Sequence, residues 1–98
     1  MKFQLDERLK EYMKETNQKD ILISTLMCHT WGGSRLEISA RFVDPYEAES
    51  LKSDHFVSYP HEFGEVLIRR KPQKFAETIQ LGLSRFFKRI TVEGIYSV

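Results

Sequence analysis

Cysteine is nearly absent: Cys28 stands alone among 98 residues. One thiol excludes an internal disulfide and agrees with a reducing compartment. No apolar run approaches the roughly 18 residues a membrane span needs. Met1-Lys2-Phe3-Gln4 leads into a charged helical pattern rather than a signal sequence, so a cytoplasmic protein with no membrane partner is expected. Net charge is also small, 15 Lys+Arg against 14 Asp+Glu, whereas a polyanion-binding domain is usually strongly basic. Three prolines and five glycines are too few and too scattered to build a linker, and no repeat or low-complexity tract divides the chain. A single domain over residues 1–98, with one modest core, is the organisation this length allows.

The small net charge hides an uneven placement. Residues 1–64 hold 8 Lys+Arg against 11 Asp+Glu, and residues 65–98 hold 7 against 3. Hydrophobic residues make up 41% of the chain, aromatic ones 12%, which is enough for a folded domain and far from the composition of disorder.

The most apolar stretch runs from Ile21 to Met27. It is rich in β-formers and apolar on both alternating faces, as in a central strand covered on two sides. Cys28, His29, Trp31, Gly32 and Gly33 follow at once, chemistry-bearing side chains on backbone that has to turn. After them Leu36, Ile38, Ala40 and Phe42 alternate with Glu37, Ser39 and Arg41, the period of a strand with one wet face. The two strands form a hairpin whose loop is expected to hold Cys28 to Ser34.

Upstream, Leu5, Leu9, Tyr12 and Met13 make the i, i+4, i+7, i+8 stripe of an amphipathic helix over Leu5 to Glu15, and Thr16 to Asp20 make a polar turn. Downstream, Asp44, Pro45 and Glu47 suit the N-cap, N1 and N3 of one helical turn. Tyr46 to Asp54 reads as polar surface. His55 to Tyr59 and Glu65 to Arg69 read as an antiparallel pair turned at Phe63-Gly64. Gln73 to Glu77 reads as a short helix or turn with Phe75 and Ala76 facing in. Ile79, Leu81 and Leu83, then Ile90 and Val92, return the chain to strand around Phe86-Phe87, closing at Gly94-Ile95-Tyr96. The pattern predicts an α+β domain, a mainly antiparallel sheet of about six short strands packed on the N-terminal helix.

That order of elements, with the strand ending Leu26-Met27-Cys28, the pair around Phe56-Val57 and Val66-Leu67-Ile68, the segments Leu81 to Leu83 and Phe86-Phe87-Lys88, and the closing Val92-Glu93-Gly94-Ile95, resembles the HesB-like superfamily of A-type iron–sulfur carriers. The closer resemblance is to small HesB-like proteins with a Cys-Cys or selenocysteine-Cys motif. It implies a HesB-like sandwich and a thiol-centred metal or iron–sulfur role at Cys28. The chain departs from that pattern in two places. It lacks the Cys-Gly-Cys of A-type carriers near its C-terminus, and Met27 stands where the paired-cysteine relatives have their first chalcogen.

The residues carry several readings. Cys28 with His29, doubled across a homodimer, would supply two Cys and two His, a set known for zinc and Rieske-type centres. Adjacent strand residues point to opposite faces, so both reach one ion only if the backbone turns there. A buried, inert cysteine is the commoner role. A reactive thiol would need a neighbouring cation such as His29 or Arg35. His55 and His61 do not form a recognised ligand spacing, and Trp31 most often buries its ring at a hairpin end. Gly32-Gly33 reads as turn chemistry rather than a phosphate loop. Arg69, Arg70, Lys71, Lys74, Arg85, Lys88 and Arg89, interleaved with Phe75, Phe86 and Phe87, could face nucleic acid, although a solvated face over core phenylalanines is the simpler reading at this charge balance. The expected function is therefore non-enzymatic: metal or iron–sulfur binding at Cys28 and His29, or an interaction module whose site has decayed and which meets a protein partner or a second copy through an edge strand.

Overall fold

Asp6 and Asn17 bracket the first helix. The Asp6 carboxylate accepts from the Leu9 N–H at 2.8 Å. Asn17 leaves in the left-handed conformation at φ 55°, its N–H on the Met13 carbonyl, so both helix ends find partners for their orphan groups. The computed structural model describes residues 2–69, 74–85 and 89–96, with backbone alone at 27, 30, 74 and 96. In it the helix, α1, is Glu7–Thr16, and its apolar stripe buries Leu9 and Met13 completely. A strand precedes it, β1 (Lys2–Leu5). Buried Phe3 and Leu5 alternate with exposed Lys2 and Gln4, so Leu5 belongs to a period-two pattern and not, as expected, to the helical stripe.

The remaining elements are β2 (Asp20–Thr30), β3 (Gly33–Val43), α2 (Pro45–Lys52), β4 (Phe56–Pro60), β5 (Glu65–Arg69), β6 (Lys74–Leu83) and β7 (Ile90–Tyr96). Among the described residues they form two sheets, ordered β1-β6-β7 and β3-β2-β5-β4. The β2–β3, β4–β5 and β6–β7 ladders are antiparallel, while β1–β6 and β2–β5 are parallel. The architecture is α+β and mainly antiparallel, with seven described strands rather than six. None of the described helices is long and apolar enough to cross a membrane.

The main core lies between the sheets. Ile21, Ile23, Val66 and Ile68 of one sheet meet Phe3, Leu5, Ile79, Leu81 and Ile95 of the other, with Leu9 and Met13 packed against them. Tyr12 meets Phe42 with ring centroids 6.0 Å apart, tying α1 to the end of β3. A second cluster lies on the outer face of the larger sheet, where Ala48 of α2 covers Leu22, Val43 and Leu67.

Two segments differ from the expected structure. The segment after Pro45 is a helix of 8 residues rather than one turn of polar surface, with Ala48 buried and Asp44 accepting from the Glu47 N–H at 2.7 Å. The cap was legible; the continuation was not, because a short helix buries only one or two side chains and leaves little periodicity. The segment expected to be helical around Phe75 is strand β6, which pairs through Phe75 with Ile95. Gln73 and Phe86-Phe87 lie outside the described residues. The hairpin between β4 and β5, the N-terminal helix and the closing strands are as expected.

Candidate functional site

The hairpin that carries Cys28 is longer and straighter than its sequence announces. β2 continues through Cys28 and His29 to Thr30, β3 starts at Gly33, and only Trp31 and Gly32 turn. Gly33 has φ +121°, a conformation L side chains rarely adopt. The expected loop from Cys28 to Ser34 is therefore ladder. Its glycines follow the cysteine closely enough to suggest a turn there, but the cross-strand register Cys28↔Arg35 and His29↔Ser34 holds the extended backbone through both.

Alternation in that ladder separates the two candidate ligands. Residues 21, 23, 25 and 29 face the other sheet, and 22, 24, 26 and 28 face outward. Cys28 and His29 thus stand on opposite faces, and one chain does not bring both to one ion. His29 instead has its Nδ1 2.8 Å from the Ser34 hydroxyl. The Cys28 thiol is partly buried, with the Glu37 carboxylate beside it. Burial first and Glu37 second push that thiol up from its ordinary value, outweighing the opposite pull of Arg35. Arg35 itself is held by Glu37 at 2.7 Å, which in turn keeps the Glu37 carboxyl low. The result is a protonated thiol, the reverse of what a nucleophile or a ready metal ligand requires. Among the described residues no group of three or more His, Cys, Asp and Glu converges on a metal position.

The other histidines are also separate. His55, at φ +67°, is an exposed turn residue before β4. His61 is structural: its Nε2 donates to the Lys19 carbonyl at 2.7 Å and its Nδ1 accepts from the Phe63 N–H at 3.1 Å. Both ring atoms are thereby assigned to a neutral imidazole, and burial lowers its pKa from the usual histidine value. Nearby, Asp20 accepts from the Glu65 N–H at 3.2 Å. A Cβ on Gly64 would sit 2.4 Å from the Lys19 carbonyl oxygen, so this β4–β5 turn is locked against the start of β2.

The basic residues do not gather into one described face. Arg69 stacks over the Phe56 ring at 4.8 Å and pairs with Asp54 at 3.3 Å, while Arg85 and Arg89 are exposed between β6 and β7. Phe75 packs against the core, as the simpler reading expects. Arg70, Lys71, Phe86, Phe87 and Lys88, and the side chain of Lys74, lie outside what is described. A cavity of about 590 Å³ opens beside β1 and the start of α1. Its charged lining is neutralised where Lys10 meets Glu62 at 2.9 Å, and it presents no nucleophile with a base.

What the hairpin does present is surface. α2 is about 12 Å long at 1.5 Å per residue, and its cover ends at Leu22. Farther along the same outer face Leu26 is 63% exposed, and at the tip the Trp31 ring, expected to be buried, is fully in solvent. The outer face of β3 carries Arg35, Glu37, Ser39 and Arg41, with Arg41 reaching Glu47 of α2. The sequence pattern marks Glu37, Ser39 and Arg41 only as the wet side of an alternation and Arg35 only as a cation near Cys28; nothing local marks them as the outer face of an end strand.

No family model, curated protein or solved structure matches this chain.

Proposed function

We propose that this chain is a non-catalytic interaction module that binds an extended protein strand along β3. One observation carries this reading: β3 is 11 residues long, continuous in register, free of proline and lysine, and an end strand of its sheet among the described residues. Exposed strand edges are ordinarily blunted, because their unpaired N–H and C=O groups template pairing with another chain. The other three sheet edges are blunted in this way. β1 has 4 residues and carries Lys2, and β4 has 5 and ends on Pro60. β7 meets β6 across a register break and bends at Gly94, φ +111°. β7 approaches β3 without pairing with it, and a strand added on the length beyond that approach would take main-chain bonds for affinity and alternate side chains for selectivity.

The decayed-site half of this reading draws on the hairpin geometry, where the one thiol is protonated and its neighbouring imidazole faces away. The test is to select extended decapeptides from a random library against the purified chain and map their binding on backbone amides. Peptides that protect Leu36, Ile38 and Ala40 support the reading. A library yielding none, or binders confined to another surface, overturns it. Metal analysis of the anaerobically purified protein beside Cys28→Ser completes it: stoichiometric metal lost in the variant would return the function to the thiol.

A further inference from the structure

Just past the cover of α2, the larger sheet has a notch. β5 ends at Arg69 while β2 runs on to Thr30, and a cavity of about 190 Å³ lies at the step, lined by Ile23, Ser24, Thr25, Phe56 and Arg69. Ile23 is level with Ile68 in the parallel ladder, so the next residues along, Ser24 and Arg69, stand beside each other. Both share the outer face with Leu22 and Leu67. On the other side of Arg69, Phe56 is its partner in the ladder to β4.

The Arg69 guanidinium is held in place without being satisfied. Its central carbon lies 4.8 Å from the centroid of the Phe56 ring. Both bonds to Asp54, 3.3 Å to the carboxylate and 3.4 Å to the carbonyl, leave from the same nitrogen, Nη2. Its Nε–H is buried and has no partner, which is true of no other buried side-chain nitrogen or oxygen among the described residues. A buried donor left unmade is costly, and a native structure rarely keeps one without use. The ion pair to Asp54 is exposed at both ends, 41% and 69%, so solvent screens it and the cation keeps most of its pull.

We propose that this notch binds a carboxylate whose carrier extends an apolar group toward Leu26. The donors suit that anion. A guanidinium is a planar fork matched to two carboxylate oxygens, and the Ser24 hydroxyl beside it is a further donor. A small turn of the guanidinium on the Phe56 ring brings the Nε–H to the bound oxygen. One cation already shared with Asp54 balances a single negative charge, whereas a phosphate group carries nearly two. Leu26, 63% exposed, is the next residue on the same face, about 7 Å beyond Ser24 at the rise of a strand. The site lies on the outer face of the sheet and does not depend on the edge of β3.

Magnetic resonance of the isotope-labelled full chain tests this directly, because the Nε–H of Arg69 gives a signal of its own. Isocaproate, added at constant ionic strength, should shift that signal and the amides of Ser24 and Leu26 saturably, and isocaproamide, the same shape without charge, should not. A blocked Glu-Ala-Leu peptide, beside its Gln-Ala-Leu counterpart, separates the sources. Tighter binding of the acidic peptide than of isocaproate assigns the carboxylate to a protein partner, and equal or weaker binding assigns it to a small molecule; both support the site. Arg69→Lys keeps the charge, loses the Nε–H and should bind about tenfold more weakly. Ser24→Ala, at an exposed position that leaves folding intact, should bind about threefold more weakly. No saturable shift at Arg69 and Ser24, an equal response to the amide, or full affinity in Arg69→Lys overturns the inference. Shifts confined to Leu36, Ile38 and Ala40 overturn it too, while leaving the β3 reading in place.

Discussion

The two halves of β2 are built from similar sequence and live in different surroundings. Ile21, Leu22 and Ile23 are buried on both faces, pinned by the parallel ladder to Val66, Leu67 and Ile68 beneath α2. A few residues on, Ser24 and Leu26 stand exposed on the same strand. The difference is one of cover: α2 and β5 are both short, and both reach only the near half. The near half makes the fold, and the far half ends in the exposed Leu26 and the Trp31 turn.

Leu22 and Leu26 allow that contrast to be broken directly, since they share a strand and a face. Leu22→Ala, which empties a site 5% exposed under α2, is expected to cost about 2–5 kcal/mol by the large-to-small scale for cores. Urea denaturation followed by circular dichroism gives the number, and a loss below about 0.5 kcal/mol would mean that the near half is not clamped. Next in size comes Gly64→Ala. Its Cβ would press on the Lys19 carbonyl at the root of β2, and overpacking against backbone is expected to cost about 1–3 kcal/mol. An unchanged melting midpoint would show that the turn yields. Removing the cap of α2 by Asp44→Ala should cost about 1 kcal/mol. Hydrogen exchange should then rise around Leu22 and Leu67 while the tip keeps its wild-type rate.

Acid should act on the near half as well. The folded-state pKa of His61 is lowered, so the native protein takes up its proton less readily than the unfolded chain. Its contribution is intact above the unfolded value of about 6.5 and is lost as pH falls through that value toward the lower folded one. Chemical denaturation of wild type and His61→Gln from pH 7.5 to 5 checks the sign: their difference in stability should narrow on acidification. Widening would contradict the neutral latch to Lys19 and Phe63. Smallest of all is Leu26→Ala, expected to stay within about 0.5 kcal/mol of wild type; a larger loss would show that the far half is covered after all.

The helix cap at Asp44, the alternation in β3 and the pairing of β4 with β5 were all legible, because each is written in residues a few positions apart; the cap at Asp6 was not, because Leu5 before it fits the helical stripe. Candidate chemistry was less so. Cys28, His29, Gly32 and Gly33 read as one cluster on a loop, and the ladder to Arg35 and Ser34 divided the first two between faces. The pairings of Glu37 with Arg35 and of Arg41 with Glu47 were not legible, since all four read as solvated charges or a lone cation. Leu5 satisfies a helical stripe and a strand alternation at once, and only its pairing with Leu81 decides between them.

By itself the sequence determined the α+β character, the alternation of β3 and the cap of α2 at Asp44, since propensity and periodicity act over one or two turns of chain. Tertiary structure decided which half of β2 is covered, which strand ends its sheet and which way the thiol and the imidazole point. Those outcomes depend on contacts between segments more than forty residues apart, such as Ile21 with Val66. No local pattern can specify a neighbour it does not contain.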